Sequence, residues 1–161
     1  MTQSIEKRVK FKASVSYHQL FLEDLSVEHD YTEIDWDRSE VGTLPGLIAI
    51  RTTRTQSRVP VTVEILANAP ADENLKEWDH VVECGIEVKS GVLSLTELFD
   101  AGNSASVELP PGMYHARVYC GALDSLVSDG TDMKGKDRYK IALWPGEYTK
   151  PLHTILKQWR R

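Results

Sequence analysis

Cysteine is scarce, long apolar runs are missing, and the common catalytic signatures are absent. Two cysteines, Cys84 and Cys120, stand in 161 residues, too few for the bridged frameworks that hold small secreted domains together. Both fall on the inward side of an alternating pattern, so buried free thiols are expected, with a disulfide or a reactive cysteine as the alternative. No stretch reaches the apolar length needed to cross a bilayer. The opening MTQSIEKRVKF carries charge without the apolar centre of a signal peptide. A cytoplasmic protein with no membrane span is therefore expected. There is no G-x-S-x-G, no glycine-rich loop before Lys-Ser/Thr, and no H-E-x-x-H, which lowers the expectation of an enzyme, so no catalytic residue and no cofactor are predicted.

Positive charge is also in deficit. Lys and Arg number 19 against 24 Asp and Glu, a formal charge of −5. A phosphate backbone is repelled on average by such a chain unless its basic residues cluster on one face. Direct nucleic-acid binding is not predicted, and a cationic protein partner is favoured. The five histidines, His18, His29, His80, His115 and His153, never pair at zinc-ligand spacing. Exposed or hydrogen-bonded structural roles account for them, and no metal site is predicted.

What the chain does have is two-residue alternation. Val82, Cys84, Ile86 and Val88 alternate with Val81, Glu83, Gly85 and Glu87, the period of a half-buried strand. Ser90-Gly91 breaks that run and Val92 to Leu95 resumes it, as in a hairpin or tight meander. Pro110-Pro111-Gly112 has turn chemistry, and Tyr114, Ala116, Val118 and Cys120 alternate after it. Similar patterns cover Val9 to Tyr17, running into Gln19 to Leu22, then Leu47 to Thr53, Val59 to Ile65 and Tyr139 to Leu143. A sheet with one apolar face must bury it against a second layer. The prediction is an all-β fold: a single-domain antiparallel β-sandwich of about eight strands over residues 9–161, after a frayed stretch over residues 1–8. In the tail, Leu152, Ile155, Leu156 and Trp159 fit one face of a short C-terminal helix, with a last short strand equally open.

Charge is densest from Glu23 to Glu40, which holds Glu23, Asp24, Glu28, Asp30, Glu33, Asp35, Asp37 and Glu40 against a single Arg38. One reading is a solvated loop. The other is a negative patch that meets a basic partner through Glu28, Asp30, Glu33, Asp35, Trp36 and Asp37. Trp36, between two aspartates, is either a plug that anchors the loop or an interface hot spot. A different class of function, binding of a small ligand or metal ion, would use Tyr17, His18, Asp35 and Asp37, since Asp35 and Asp37 share one side of an extended segment. The stretch from Asp124 to Asp137 carries Asp124, Asp129, Asp132 and Asp137. It lacks the ligand spacing of the helical calcium loop and reads as a plain turn-rich loop.

Several segments resemble the competence-nuclease inhibitor family, ComJ, also called Nin. They are Ser16-Tyr17-His18-Gln19-Leu20, Ile34-Asp35-Trp36-Asp37, Leu47-Ile48-Ala49-Ile50, Gly85-Ile86-Glu87-Val88, Leu109-Pro110-Pro111-Gly112-Met113-Tyr114 and Asp137-Arg138-Tyr139, in that order along the chain. The loop from Asp124 to Lys136 and the tail after Trp144 look longer than the family pattern, as in a divergent member. The resemblance implies a small cytoplasmic-side protein without catalytic activity that binds and inhibits a DNA-entry nuclease.

Overall fold

The computed structural model describes residues 5–71, 73–99, 105–128 and 133–160. Among these residues thirteen strands follow in chain order: β1 Ile5–Ser16, β2 Gln19–Glu23, β3 Val41–Leu44, β4 Leu47–Arg51, β5 Gln56–Leu66, β6 His80–Val88, β7 Val92–Thr96, β8 Ser106–Glu108, β9 Gly112–Gly121, β10 Val127–Ser128, β11 Met133–Lys134, β12 Arg138–Pro145 and β13 His153–Lys157. The fold is all-β, as the alternation predicts. The expected boundary at Val9 moves, because β1 begins at Ile5 and pairs from there with β5.

The expected set of about eight antiparallel strands is replaced by one mixed sheet of eleven. Its order is β13-β6-β9-β12-β5-β1-β2-β4-β3, with β7 between β2 and β8, while β10 and β11 form a separate small ribbon. The mixed character comes from one pairing, β5 with β12, which is parallel in the register Val61–Tyr139 to Ile65–Leu143. Parallel neighbours need a long crossover, and the chain supplies one through β6 to β9. Alternation reports which side chains share a face; it carries no information on direction.

The sheet turns a corner at Ser16 and Gln19, the one residue pair joining β1 to β2. Beyond it the sheet folds back on itself. Leu20, Leu22, Ile48, Ile50, Leu93 and Leu95 share one buried cluster with Val82, Cys84, Ile86, Val118 and Ile141, and β3 and β4 touch β6 without pairing to it. Cys84 and Cys120 are buried free thiols inside this cluster. Burial, with a smaller contribution from Glu83, pushes the Cys84 thiol up to about 12, which makes it inert.

Two apolar clusters lie on the outer faces. Leu66, Val81, Tyr119, Ala142 and Trp144 are covered by Leu75 and Trp78. Phe21, Ile34, Leu47 and Ala49 are covered by Tyr31, Trp36, Leu44 and Leu98. The tail is a strand and not a helix: β13 pairs with β6, His153 opposite Cys84 and Ile155 opposite Val82. So short a segment gains little as an isolated helix, whereas the open edge of β6 offers a ladder. The register shift between Ile155 and Lys157 accounts for the helix-like spacing of its apolar residues, since a bulge resets the alternation.

Candidate functional site

The acidic segment forms a flap over the outer face of β2 and β4, and its chemistry divides into a buried root and an exposed crown. At the entry, Glu23 and Asp24 are buried. Glu23 accepts hydrogen bonds from the Tyr31 hydroxyl at 2.8 Å and from Thr96, and lies 2.9 Å from His29 Nδ1. The other ring nitrogen of His29 lies 2.7 Å from the Pro45 carbonyl, so the histidine ties β2 to the β3–β4 turn. Burial, then the contact with Glu23, raises the Tyr31 hydroxyl above its ordinary value, so it stays protonated and donates. Asp24 accepts from the Lys89 and Ser90 N–H groups at 2.8 and 2.9 Å and from the N–H and hydroxyl of Ser26 at 3.0 and 2.7 Å. Burial alone pushes this carboxyl upward, yet the hydrogen bonds from Ser90 and Ser26 outweigh it and hold it well below the usual carboxylate range.

The flap then crosses the sheet. Asp30 caps a single 3-10 turn, Tyr31–Glu33, accepting from the Thr32 hydroxyl and N–H at 2.6 and 3.0 Å. Those two bonds hold its carboxyl below the ordinary value. Tyr31 stacks on Phe21 with ring centres 4.7 Å apart, and Ile34 is buried. Ile34 reaches its place because residue 42 is glycine: a Cβ there would stand 2.6 Å from Ile34 Cγ2 and 3.1 Å from the Asp35 carbonyl. Trp36 is half-buried and lies under the Arg51 guanidinium, 5.6 Å from the ring centre. The exit is fixed by Ser39 and Glu40, both buried, with Arg51 bidentate on Glu40 at 3.0 and 3.1 Å.

Between these anchors, Glu28, Asp30, Glu33, Asp35 and Asp37 are exposed. Among the described residues, none of the five forms an ion pair with Lys, Arg or His. Asp35 accepts from the Asp37 N–H at 2.9 Å, a turn contact that leaves its charge outward. The opposite outer face treats carboxylates differently. There Glu64 pairs with Arg8 and Lys140, while Glu73 and Glu83 pair with Arg117.

Of the residues expected for ligand binding, two stand together at one recess. Tyr17 and His18 form the β1–β2 turn and line a shallow recess with Ser16, Thr55 and Gln56, which contains neither Asp35 nor Asp37. His18 is engaged by the Thr52 carbonyl, 2.9 Å from Nδ1. A second cleft, about 310 Å³, lies past Leu44 and Pro45, where Glu87 and Lys150 are its charged lining residues. Of the Asp124–Asp137 stretch, Asp129 and Asp132 lie outside the described residues. Asp137 departs from the expected open loop, because it is buried and gripped by Arg54 at 2.8 and 2.5 Å. Among the described residues no three His, Cys, Asp or Glu side chains are grouped as metal ligands.

Sequence reasoning placed Glu23, Asp24 and Glu40 in the acidic segment without separating them from the crown. One signal was present: Glu23 directly continues Leu20-Phe21-Leu22, where both faces are apolar, so its carboxyl enters a covered layer.

No protein-family model matches the chain, and no curated protein sequence matches it. Two solved structures are similar in fold. ComJ from Bacillus subtilis, the inhibitor of the DNA-degrading activity of NucA, superposes with a TM-score of 0.62 over 91% of this chain and 100% of that one, at 17% identity. The fold is ComJ-like. The product of crocagin biosynthetic gene J gives a TM-score of 0.57 at 18% identity over the same shares of the two chains. The strand order of this chain places the acidic flap on an outer face, against β2 and β4 and away from the folded-back core.

Proposed function

We propose that this chain is a non-catalytic cytoplasmic protein that binds and inhibits a basic partner enzyme, a DNA-degrading nuclease of the NucA type, through the crown of its acidic flap. The observation that carries the reading is the crown itself: five exposed carboxylates, Glu28, Asp30, Glu33, Asp35 and Asp37, without an ion pair among the described residues and held up by a root whose carboxylates are hydrogen-bonded. A groove that accommodates DNA is cationic, because it must neutralise phosphates. Carboxylates fixed on a rigid base present comparable charge to such a groove without the ordering cost of a mobile tail. The likeness in fold to an inhibitor of a DNA-degrading enzyme supports the same reading. Among the described residues no helix is long and apolar enough to cross a membrane.

The test is DNA cleavage by the NucA-type nuclease of the same organism, with this protein titrated in at low and at high salt. Inhibition at low salt that weakens as salt rises is expected, since exposed charges are screened beyond about 10 Å at 0.1 M ionic strength. Unchanged cleavage at every concentration and salt would end the proposal.

A further inference from the structure

Among the described residues, two of the most exposed large hydrophobic side chains are aromatic and touch each other. Tyr17 is 66% exposed and Phe99 76% exposed, with ring centres 5.5 Å apart in an edge-on contact. Water-facing aromatics of this size are uncommon on a surface that has no use for them. The backbone beneath Tyr17 is also conformationally unfavourable. Tyr17 and His18 both take positive φ, 52° and 63°, the two-residue hairpin geometry that Asn-Gly adopts without penalty and that a bulky residue adopts at a cost. Three contacts hold the turn regardless: His18 N–H to the Thr55 carbonyl at 3.2 Å, Thr52 N–H to the His18 carbonyl at 2.7 Å, and the His18 ring against the Thr52 carbonyl at 2.9 Å. Strain over-determined by its surroundings, beneath an exposed aromatic, is the pattern of a functional position.

The aromatic pair continues the flap. Gln19, two residues beyond Tyr17, pairs with Arg51 across β2 and β4, and Arg51 lies over Trp36. On the other side Leu98, next to Phe99, packs in the same cluster as Trp36. Tyr17, Phe99 and Trp36 therefore lie along one edge of the flap, with Asp35 and Asp37 flanking the last. Aromatic anchors beside charge make up the usual anatomy of an interface hot spot.

We infer that Tyr17 and Phe99 are the apolar anchor of the partner interface, docking into a recess on the same basic nuclease whose cationic surface meets the crown; this inference rests on the proposed function. The crown supplies charge complementarity and speed of encounter. The aromatic pair supplies the desolvated contact that slows dissociation.

The experiment measures inhibition of the NucA-type nuclease by the wild-type protein, by Tyr17→Asn, by Phe99→Ala, and by a crown variant combining Glu28→Gln, Glu33→Gln and Asp37→Asn. Asparagine tolerates the turn conformation, so Tyr17→Asn is expected to keep or raise the melting temperature while weakening inhibition by about 30-fold, the level of a hot-spot side chain. Phe99→Ala is expected to weaken it comparably, with the loss in the dissociation rate and little change in salt dependence. The crown variant is expected to lose association rate and salt dependence instead. Wild-type inhibition by both Tyr17→Asn and Phe99→Ala, alongside a weakened crown variant, overturns this inference and leaves the proposed function standing. A wild-type protein that fails to inhibit overturns both.

Discussion

The root and the crown of the acidic flap are built from the same two residue types and behave oppositely. Glu23, Asp24 and Glu40 are buried and each accepts from two or more donors fixed elsewhere in the fold. Glu28, Glu33 and Asp37, a few residues away, are exposed and make no ion pair among the described residues. A buried carboxylate must recover its lost hydration from neighbours, and a solvated one need not. The root is consequently a structural device that sets where the flap sits, while the crown is chemistry left available to a partner. Density of acidic residues in the sequence alone does not separate the two.

The largest effect on stability is expected from Glu23→Ala. It would strip the Tyr31 and Thr96 hydroxyls of their common acceptor and remove the contact with His29, leaving buried donors unpaired. A loss of about 3 kcal/mol in urea denaturation is expected, in line with breaking a buried charged network. A loss below about 1 kcal/mol, the size of a routine substitution, would mean that Glu23 is solvated and that root and crown do not differ.

Asp24→Asn should rank next, at about 2 kcal/mol at neutral pH, because one of its two oxygens becomes an amide that cannot accept the N–H groups it faces. Its pH dependence has a definite sign. The folded state holds the carboxyl below its ordinary value of 3.8, so the unfolded chain binds the proton more tightly and stability rises with pH across that interval. The contribution is complete above the unfolded value and disappears as pH falls through the folded one. The gap between wild type and Asp24→Asn should hold steady from pH 7 to about 5 and narrow progressively as pH falls below about 4. A gap that stays constant into strong acid would show that the hydrogen bonds of Asp24 do not depend on its charge.

Much of this architecture can be read from the sequence, and the remainder fails for identifiable reasons. Alternation located β5, β6, β9 and β12 because each buries one set of side chains in the shared core. It could not reveal that β5 and β12 run parallel, since either direction places the same residues on the same face. The tail read equally as helix or strand because Ile155 and Lys157 straddle a register shift, and a bulge in a strand mimics helical spacing. Asp137 left no local trace at all: its partner Arg54 lies 83 residues away. In the flap, the segment was legible from composition and the role of each carboxylate was not, because the donors that bury Asp24 come from the β6–β7 turn.

The smallest effect on stability, and the most informative about function, belongs to the crown. Glu28, Glu33 and Asp37 are acceptors in no side-chain hydrogen bond found among the described residues, so replacing them with Gln, Gln and Asn removes charge and little else. Each change should shift unfolding by no more than about 0.5 kcal/mol, as for ordinary surface positions, and relief of repulsion between neighbouring carboxylates should push the sum towards stabilisation. Association with a basic nuclease should respond in the other direction. Steering by surface charge acts on the encounter rate and fades with ionic strength, so the triple variant should lose most of the difference in inhibition between about 50 mM and 200 mM salt, a range over which contacts of this kind change strongly. A variant that is both destabilised and still salt-sensitive would reverse the assignment, placing structural work in the crown and leaving the partner's charge to be met elsewhere on the surface.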